Sequence, residues 1–235
     1  GAPRPVDHVR RLVEEFPTAP PALGYGLTET NAIGAGIFST NYLEKPNSTG
    51  APSKPLVDLA ILDDAGKSVP QGERGEVSIR SVALFSGYWN RPDATADCMT
   101  SDGYFRTGDI GYLDADNYLF IVDRKKDIII RGGMNISARE LEEHLVAHPA
   151  LSDSAVVGYP DDRLGERVAV FVVARGGHPE PTVEEVRDYL TGHGVAIQKT
   201  PERVIAVESL PMTATGKVQK HVLREQAAKV VEAGK

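Results

Sequence analysis

The sequence predicts an α+β protein built from two parts of different character. Residues 57–122 contain short runs of alternating apolar and polar residues, the period of half-buried strands. After Asp123, strand-like runs alternate with amphipathic helical patterns. The same boundary divides the charge, because residues 1–123 carry 10 Lys and Arg against 17 Asp and Glu, whereas residues 124–235 carry 16 of each. We expect an acidic, β-rich first part and a compact, neutral α+β second part.

The first part begins with a helix and continues into strands. Apolar residues at Val9, Leu12, Val13 and Phe16 predict an amphipathic helix that ends before Pro17. A glycine-studded loop covers residues 24–36. Four strand-like runs then follow between turn sequences, and they predict a small twisted sheet or barrel-like subdomain: VDLAIL, EVSIRS, IGYLD and YLFIV.

The second part predicts four strands, two helices between them and a final helix. The strands cover 128–131, 154–158, 167–174 and 203–207. Two helices begin at capping boxes, Ser137-x-x-Glu140 and Thr182-x-x-Glu185, in which hydroxyl and carboxylate each accept from a backbone N–H that the helix leaves unpaired.

Composition excludes several classes of protein. The longest apolar run, 168–174, is far shorter than the roughly 18 residues of a membrane span. Cys98 is the single cysteine, which excludes an internal disulfide and a cysteine-based metal site and indicates a reducing cytoplasm. Neither part is basic enough to predict a nucleic-acid partner.

Common catalytic motifs are incomplete or missing. Gly216-Lys217 lacks the other residues of a phosphate-binding Walker loop, and His144 and His148 lack the Glu of a zinc-protease helix. The sequence has no Gly-x-Ser-x-Gly hydrolase turn.

Six unusual strings occur in a fixed order. They are Gly24-Tyr-Gly-Leu-Thr-Glu29, Gly72-Glu-Arg-Gly-Glu76, Phe105-Arg-Thr-Gly-Asp109, Asp123-Arg-Lys-Lys-Asp127, Gly132-Gly-Met-Asn135 with Glu140-Leu-Glu142, and Pro211-Met-Thr-Ala-Thr-Gly-Lys217. Together they resemble the adenylate-forming superfamily of acyl-CoA synthetases, luciferase-type enzymes and peptide-synthetase adenylation domains. The resemblance implies that a carboxylate reacts with ATP to give an acyl adenylate and that a thiol then displaces AMP.

The resemblance also implies a nucleotide site. Tyr25, Gly26 and Thr28 would bind the nucleotide, with the Tyr25 ring stacked on adenine and the Thr28 hydroxyl on a phosphate oxygen. Asp109 and Arg124 would bind the ribose. Glu29 carries a carboxylate of the kind that Mg²⁺ prefers, so Mg²⁺ is the expected cofactor, with ATP and CoA as substrates.

Three further roles follow from the same resemblance. Lys126 matches the hinge about which the C-terminal unit turns between the two half-reactions, and an exposed residue at the end of an element suits a hinge. Gly132 and Gly133 match a loop beside the pantetheine tunnel for CoA, although a plain β-turn also explains them. Lys217 matches the catalytic lysine of the adenylation step.

The sequence differs from the superfamily pattern at its N-terminal end. The expected division is 1–56 as the end of a truncated large domain, 57–123 as the small β subdomain and 124–235 as the mobile C-terminal domain. The superfamily's phosphate loop ending in Pro-Lys-Gly is absent, and Gly1-Ala2-Pro3 resembles its adenine-flanking segment. We therefore expect the C-terminal portion of a longer ligase, inactive by itself.

Substrate and acceptor remain open at this point. The strings resemble bacterial fatty-acid–CoA ligases most, so CoA is the favoured acceptor. A carrier-protein-loading adenylation domain is one alternative, and a nucleotide- or CoA-binding fragment without turnover is another. The sequence does not predict the oligomeric state.

Overall fold

The structure is a computed structural model, and it describes residues 6–19, 21–214 and 216–233. The chain divides into two compact units, Gly1–Lys125 and Lys126–Lys235. The division falls two residues after the charge boundary. The predicted three-part domain division remains a prediction, and Gly1-Ala2-Pro3 and Thr215 of the quoted strings lie outside the described residues.

The first unit contains two antiparallel sheets. Strands β1, β2 and β3 form one, and β4 to β7 form a four-stranded meander in chain order. The helices and strands of this unit are α1 (Val6–Glu15), β1 (Ala22–Tyr25), β2 (Ala35–Phe38), α2 (Ser39–Glu44), β3 (Ala51–Pro52), β4 (Val57–Leu62), β5 (Gly75–Ser81), α3 (Pro92–Asp97), β6 (Phe105–Leu113) and β7 (Leu119–Arg124).

The α+β class is confirmed, and of the two predicted forms, a small twisted sheet or a barrel-like subdomain, the described residues form an open sheet without a closed barrel. The β4 to β7 meander stays open, with β4 and β7 at its two edges. Closed barrels are built from about five to eight strands or more, so four strands are too few to complete one. Buried side chains of the meander pack with Tyr25 and Ala35 from β1 and β2, which joins both sheets in one core.

The second unit is a five-stranded sheet with helices on both faces. Strands β10, β11, β8 and β9 follow each other, and β12 pairs parallel to β11. Helices α4 and α5 cover one face, and α6 covers the other. The elements are β8 (Ile128–Arg131), β9 (Met134–Ser137), α4 (Ala138–Leu145), β10 (Leu151–Asp161), β11 (Gly165–Ala174), α5 (Val183–Gly192), β12 (Arg203–Ala206) and α6 (Lys220–Ala233).

Both predicted helix starts in this unit carry their caps. The Thr182 hydroxyl accepts from Glu185 N and the Glu185 carboxylate accepts from Thr182 N, which is a complete capping box. The Ser137 hydroxyl accepts from Glu140 N, while the Glu140 carboxylate pairs with Lys199 at 2.6 Å. Among the described residues, no helix is both long and apolar enough to cross a membrane.

Candidate functional site

A buried carboxylate, Asp109, connects the two sheets of the first unit. The Tyr25 hydroxyl, at the end of β1, donates to Asp109 Oδ2 over 2.6 Å. Arg124 lies directly opposite Asp109 in the β6–β7 register, and its Nε lies 2.7 Å from Asp109 Oδ1. Asp109 is only 4% exposed. A charge so far from water needs such partners, because desolvation is costly unless hydrogen bonds and an opposite charge offset it.

Tyr25 is held as a hydrogen-bond donor. Burial first, and then the neighbouring Asp109 carboxylate, raise the pKa of the Tyr25 hydroxyl far above its ordinary range, so the group stays protonated at physiological pH. The ring belongs to the apolar core that joins the two sheets. Stacking of this ring on adenine remains a prediction, whereas its contact with Asp109 is observed.

The Gly24–Glu29 string leads from β1 into a 3-10 turn, Thr28–Thr30. The Thr30 hydroxyl bonds the backbone of Leu27 and is used inside the turn. Thr28 is exposed, and its hydroxyl has no hydrogen-bond partner among the residues that the structure describes. At Gly26 a Cβ atom would lie 2.4 Å from the carbonyl carbon of Ala32, so only glycine allows the turn to fold back so closely.

Glu29 is braced by the segment that follows β5. The Tyr88 hydroxyl donates to Glu29 Oε1 over 2.8 Å, and Phe85 N donates to the Glu29 carbonyl oxygen over 2.8 Å. Burial, followed by the bond to Glu29, raises the pKa of Tyr88 to about 12. The Tyr88 hydroxyl therefore remains a donor at neutral pH.

A second buried carboxylate, Glu76, forms ion pairs with two cationic side chains. Its Oε2 accepts from Arg106 over 3.0 Å and from Lys125 over 3.2 Å, and its Oε1 accepts from Gly108 N. Lys125 also pairs with Asp64 at 2.7 Å. These bonds fix two cations at one place in the first unit.

Glu29, Glu76 and several of their partners line a cleft of about 460 Å³. Cationic Arg106, Arg124 and Lys125 line it together with the carboxylates of Glu29 and Glu76. The remaining lining residues are Leu27, Tyr88, Asp97, Cys98, Phe105, Thr107 and Gly108. Burial raises the pKa of the Cys98 thiol, so it is protonated at neutral pH and is a poor nucleophile. The cleft can bind an anion with polar groups, and it offers no activated thiol.

The predicted hinge residue is the first residue of the second unit. Lys126 is exposed and lies in a 3-10 turn, Lys125–Asp127, between β7 and β8. Arg224 of α6 donates to the Lys126 carbonyl oxygen over 2.9 Å and pairs with Asp127. The side chain of Lys126 makes no hydrogen bond or ion pair within the described ranges.

Gly132 and Gly133 form the two-residue turn between β8 and β9. Arg131 pairs with Met134 across it, and both glycines have positive φ values, 56° and 82°. This is the geometry of a tight hairpin turn, which favours glycine at both positions. The turn accounts for both residues, and their predicted place beside a CoA tunnel stays a prediction.

Lys217 lies in a tight loop before α6. Thr213 and Lys217 exchange hydrogen bonds, since Thr213 N donates to the Lys217 carbonyl oxygen and Lys217 N donates to the Thr213 hydroxyl. The Lys217 side chain is exposed, and it forms no ion pair with any carboxylate in the described parts of the chain. Its ammonium group can therefore reach a ligand without breaking an ion pair.

The structure thus groups the predicted site residues by unit. Tyr25, Asp109 and Arg124 form one bonded cluster, and Glu29 and Arg124 line one cleft. Lys126, Gly132, Gly133 and Lys217 belong to the second unit.

Glu76, Arg106 and Tyr88 have no role in the sequence analysis. Glu76 lies in the Gly72–Glu76 string, but its partner Arg106 is 30 residues away in the chain. Tyr88 and its partner Glu29 are 59 residues apart. No local pattern predicts such pairs.

Two family profiles match the chain. The AMP-binding enzyme profile matches residues 1–89, and the AMP-binding enzyme C-terminal domain profile matches residues 140–217. The chain belongs to the AMP-binding enzyme family. This confirms the resemblance to the adenylate-forming superfamily that the six strings predict.

Relatives within the AMP-binding enzyme family act on different acids. A long-chain-fatty-acid–CoA ligase of Mycobacterium tuberculosis is 42% identical over 208 residues, 88% of this chain and 40% of its own. The 2,3-dihydroxybenzoate-AMP ligase of Bacillus subtilis is 38% identical over 216 residues, 90% of this chain and 40% of its own.

A solved structure supports the fold. ATP-bound MatB from Rhodopseudomonas palustris superposes with a TM-score of 0.85 at 34% identity, covering 98% of this chain and 45% of that one. The chain therefore spans less than half the length of these AMP-binding enzymes.

Proposed function

We propose that the protein is an AMP-forming acid–thiol ligase. In the first half-reaction, an oxygen of a substrate carboxylate attacks the α-phosphorus of ATP. The bond from that phosphorus to the β-phosphate oxygen breaks, which gives acyl-AMP and pyrophosphate. In the second, the thiolate of CoA attacks the acyl carbonyl carbon and AMP leaves. The proposal concerns the whole protein, because the chain spans only about 40% of these relatives' length.

The observation that carries the proposal is the Tyr25–Asp109–Arg124 cluster. A carboxylate can accept hydrogen bonds from both hydroxyls of a ribose. Asp109 is held in place by Tyr25 at 2.6 Å and by Arg124 at 2.7 Å, so it can bind a ribose without first being ordered. We assign ribose binding to Asp109 and Arg124, and adenine contact to Tyr25 and Gly26.

Phosphate binding needs donors and cations near the ribose site. We assign the exposed Thr28 hydroxyl to a phosphate oxygen and Lys217 to the charge that develops on the α-phosphate in the transition state. One preorganised donor of this kind lowers the barrier by roughly 2.7–4 kcal/mol. Phosphoryl transfer depends mainly on positioning and on such charge compensation, so no covalent enzyme intermediate is required.

Glu29 fits a role as the Mg²⁺ ligand of the first unit. Hard carboxylate oxygens suit this ion, and Mg²⁺ commonly uses one or two carboxylates together with substrate phosphates. The described residues contain no group of three His, Cys, Asp or Glu that could enclose a metal. A metal at Glu29 would therefore be shared with the nucleotide, and it would neutralise phosphate charge.

The second half-reaction involves the second unit. We propose that the second unit rotates about Lys126 between the two half-reactions. The rotation would move Lys217 away from the active site and bring the Gly132-Gly133 turn to it. Such a turn lacks side chains, so it lets a slender pantetheine arm pass close to the backbone. We also propose a cytoplasmic location, which suits a chain with one free cysteine, Cys98.

We propose a fatty acid as the substrate and CoA as the acceptor, supported by the 42% identity to a fatty-acid–CoA ligase. A second candidate is an aryl acid that is loaded onto a carrier protein. It is supported by the 38% identity to a 2,3-dihydroxybenzoate-AMP ligase, which is nearly as high as the identity to the fatty-acid–CoA ligase.

A panel of acids tests both candidates. The protein is incubated with ATP, Mg²⁺ and CoA, and pyrophosphate release and CoA consumption are measured for fatty and aryl acids. We expect a fatty acid to cause both. Pyrophosphate release without CoA consumption would support the carrier-loading candidate. If none of the acids caused pyrophosphate release, the proposed ligase would be contradicted. Nucleotide binding without pyrophosphate release would point to the alternative of a binding fragment without turnover.

A further inference from the structure

Tyr88 lies at the centre of a brace around Glu29 that the proposed function does not use. The segment from Val82 to Asn90 makes three hydrogen bonds with the turn that carries Glu29. Asn31 Nδ2 donates to the Ala83 carbonyl oxygen, Phe85 N donates to the Glu29 carbonyl oxygen and the Tyr88 hydroxyl donates to Glu29 Oε1, each over 2.8 Å.

The first two bonds fix the backbone of the turn, and only the third fixes the carboxylate. Glu29 Oε2 has no hydrogen-bond donor among the described residues. One oxygen is thus held by Tyr88, and the other is left available on the side chain that lines the cleft. A Glu side chain has three rotatable bonds, so without such a contact its carboxylate would sample many positions.

Tyr88 is itself fixed from two sides. Its ring meets the ring of Phe85 edge to face, with centroids 4.9 Å apart, and Phe85 meets the buried Phe105 in the same way at 5.6 Å. Tyr88 N donates to the Thr95 hydroxyl of α3 over 2.9 Å. The hydroxyl of Tyr88 is therefore presented at a defined place, and removing it alone would leave these packing contacts intact.

We propose that Tyr88 is a positioning residue that orients the Glu29 carboxylate for the metal of Mg·ATP. The inference rests on the proposed function, since it assumes that Glu29 binds the metal. Tyr88 does not itself touch the metal. It holds Glu29 in the conformation in which Oε2 can coordinate the metal, so that the Glu29 side chain loses less conformational entropy when Mg·ATP binds.

Tyr88→Phe tests this, because it removes only the hydroxyl. Tyr104→Phe is a matched control, since the Tyr104 hydroxyl also donates to a carboxylate, Asp58 at 2.6 Å, and Tyr104 does not line the cleft. Calorimetry of the full protein measures ATP binding with Mg²⁺ and with a chelator. The factor by which Mg²⁺ strengthens ATP binding is the readout, and melting temperatures show that each variant folds.

We expect Tyr88→Phe to reduce that factor by at least about threefold, which corresponds to the lower end of the net contribution of a single hydrogen bond. Metal-free ATP binding should stay within about twofold of the unchanged protein, and Tyr104→Phe should alter neither value. In a Glu29→Gln background, Tyr88→Phe should cause no further loss, because the two residues act on the same interaction.

Two results would overturn the inference while leaving the proposed function intact. One is an unchanged Mg²⁺ factor in Tyr88→Phe, and the other is an equal loss of metal-free and metal-dependent binding, which a merely structural role would produce. Absence of any ATP binding by the unchanged protein would instead overturn the proposed function and this inference with it.

Discussion

Asp109 is a carboxylate almost removed from water, and two partners, one on the neighbouring strand and one on the other sheet, make its burial tolerable. Arg124 reaches it because the two residues are directly paired between β6 and β7, and Tyr25 approaches from the other sheet. Cross-strand pairs of opposite charge support a sheet, and the hydrogen bonds to its partners offset the cost of burying this carboxylate. The site's proposed ribose contact is therefore built into the sheet and needs no mobile loop.

Asp109→Asn should weaken AMP binding by at least about tenfold, because hydrogen bonds to a charged acceptor contribute about 1.5–3 kcal/mol. Calorimetry with AMP measures the loss. Asp114→Asn is the matched control, since Asp114 pairs with Lys45 instead of with Tyr25 and Arg124, so AMP affinity should be unchanged there. Equal AMP affinity in both variants would remove Asp109 from the proposed site.

Residue types could be predicted from the sequence better than residue pairs. The six strings contain Tyr25, Asp109 and Arg124, but the bonds among them depend on the register of β6 and β7 and on how the two sheets pack. Glu76 illustrates the difference. It meets Arg106 across β5 and β6 at a place where the strand register shifts between Glu76 and Ser78, and no sequence period predicts such an irregularity.

At the scale of elements, the clearest predictions are those with a local physical cause. The strand at 128–131 is found where it is predicted, and the helix after Thr182 begins at its cap. Strand β9 and helix α3, which has six residues, were not predicted. Helix α3 is too short for a repeating apolar pattern to be recognised, and β9 lacks the run of three isoleucines that indicates the equally short strand at 128–131.

Thr182→Ala should lower the free energy of unfolding of the second unit by about 1 kcal/mol, because it removes the hydroxyl that caps α5. Thr191→Ala is a control in the same helix, since the Thr191 hydroxyl bonds back to the Arg187 carbonyl oxygen and caps nothing. Chemical denaturation gives both values. A loss at Thr191 as large as that at Thr182 would contradict the assigned cap.

At the scale of the whole molecule, the division between Lys125 and Lys126 has side-chain contacts on each side. Lys125 pairs with Asp64 and Glu76 inside the first unit, and Arg224 holds the Lys126 carbonyl and Asp127 inside the second. These contacts stiffen the chain before and after the boundary. The pivot that we propose at Lys126 lies between these two sets of contacts.

Lys126→Pro should lower the ratio of the thioester rate to the adenylation rate by at least about tenfold, because proline fixes φ at the proposed pivot. Lys126→Ala keeps that dihedral free, and its ratio should stay close to that of the unchanged protein. The two half-reactions are measured separately, the second with supplied acyl adenylate. An unchanged ratio in Lys126→Pro would exclude a pivot at this residue.

Carboxylate activation is the central claim, and acid-dependent exchange of labelled pyrophosphate into ATP, without CoA, tests it most directly. We expect exchange with a fatty acid, and a decrease of at least about a hundredfold in Lys217→Ala, since Lys217 is assigned to the transition-state charge. Lys220→Ala should retain exchange, because Lys220 is bound to Glu142 at 2.8 Å. Absence of acid-dependent exchange in the unchanged whole protein with every acid of the panel would contradict the proposed function.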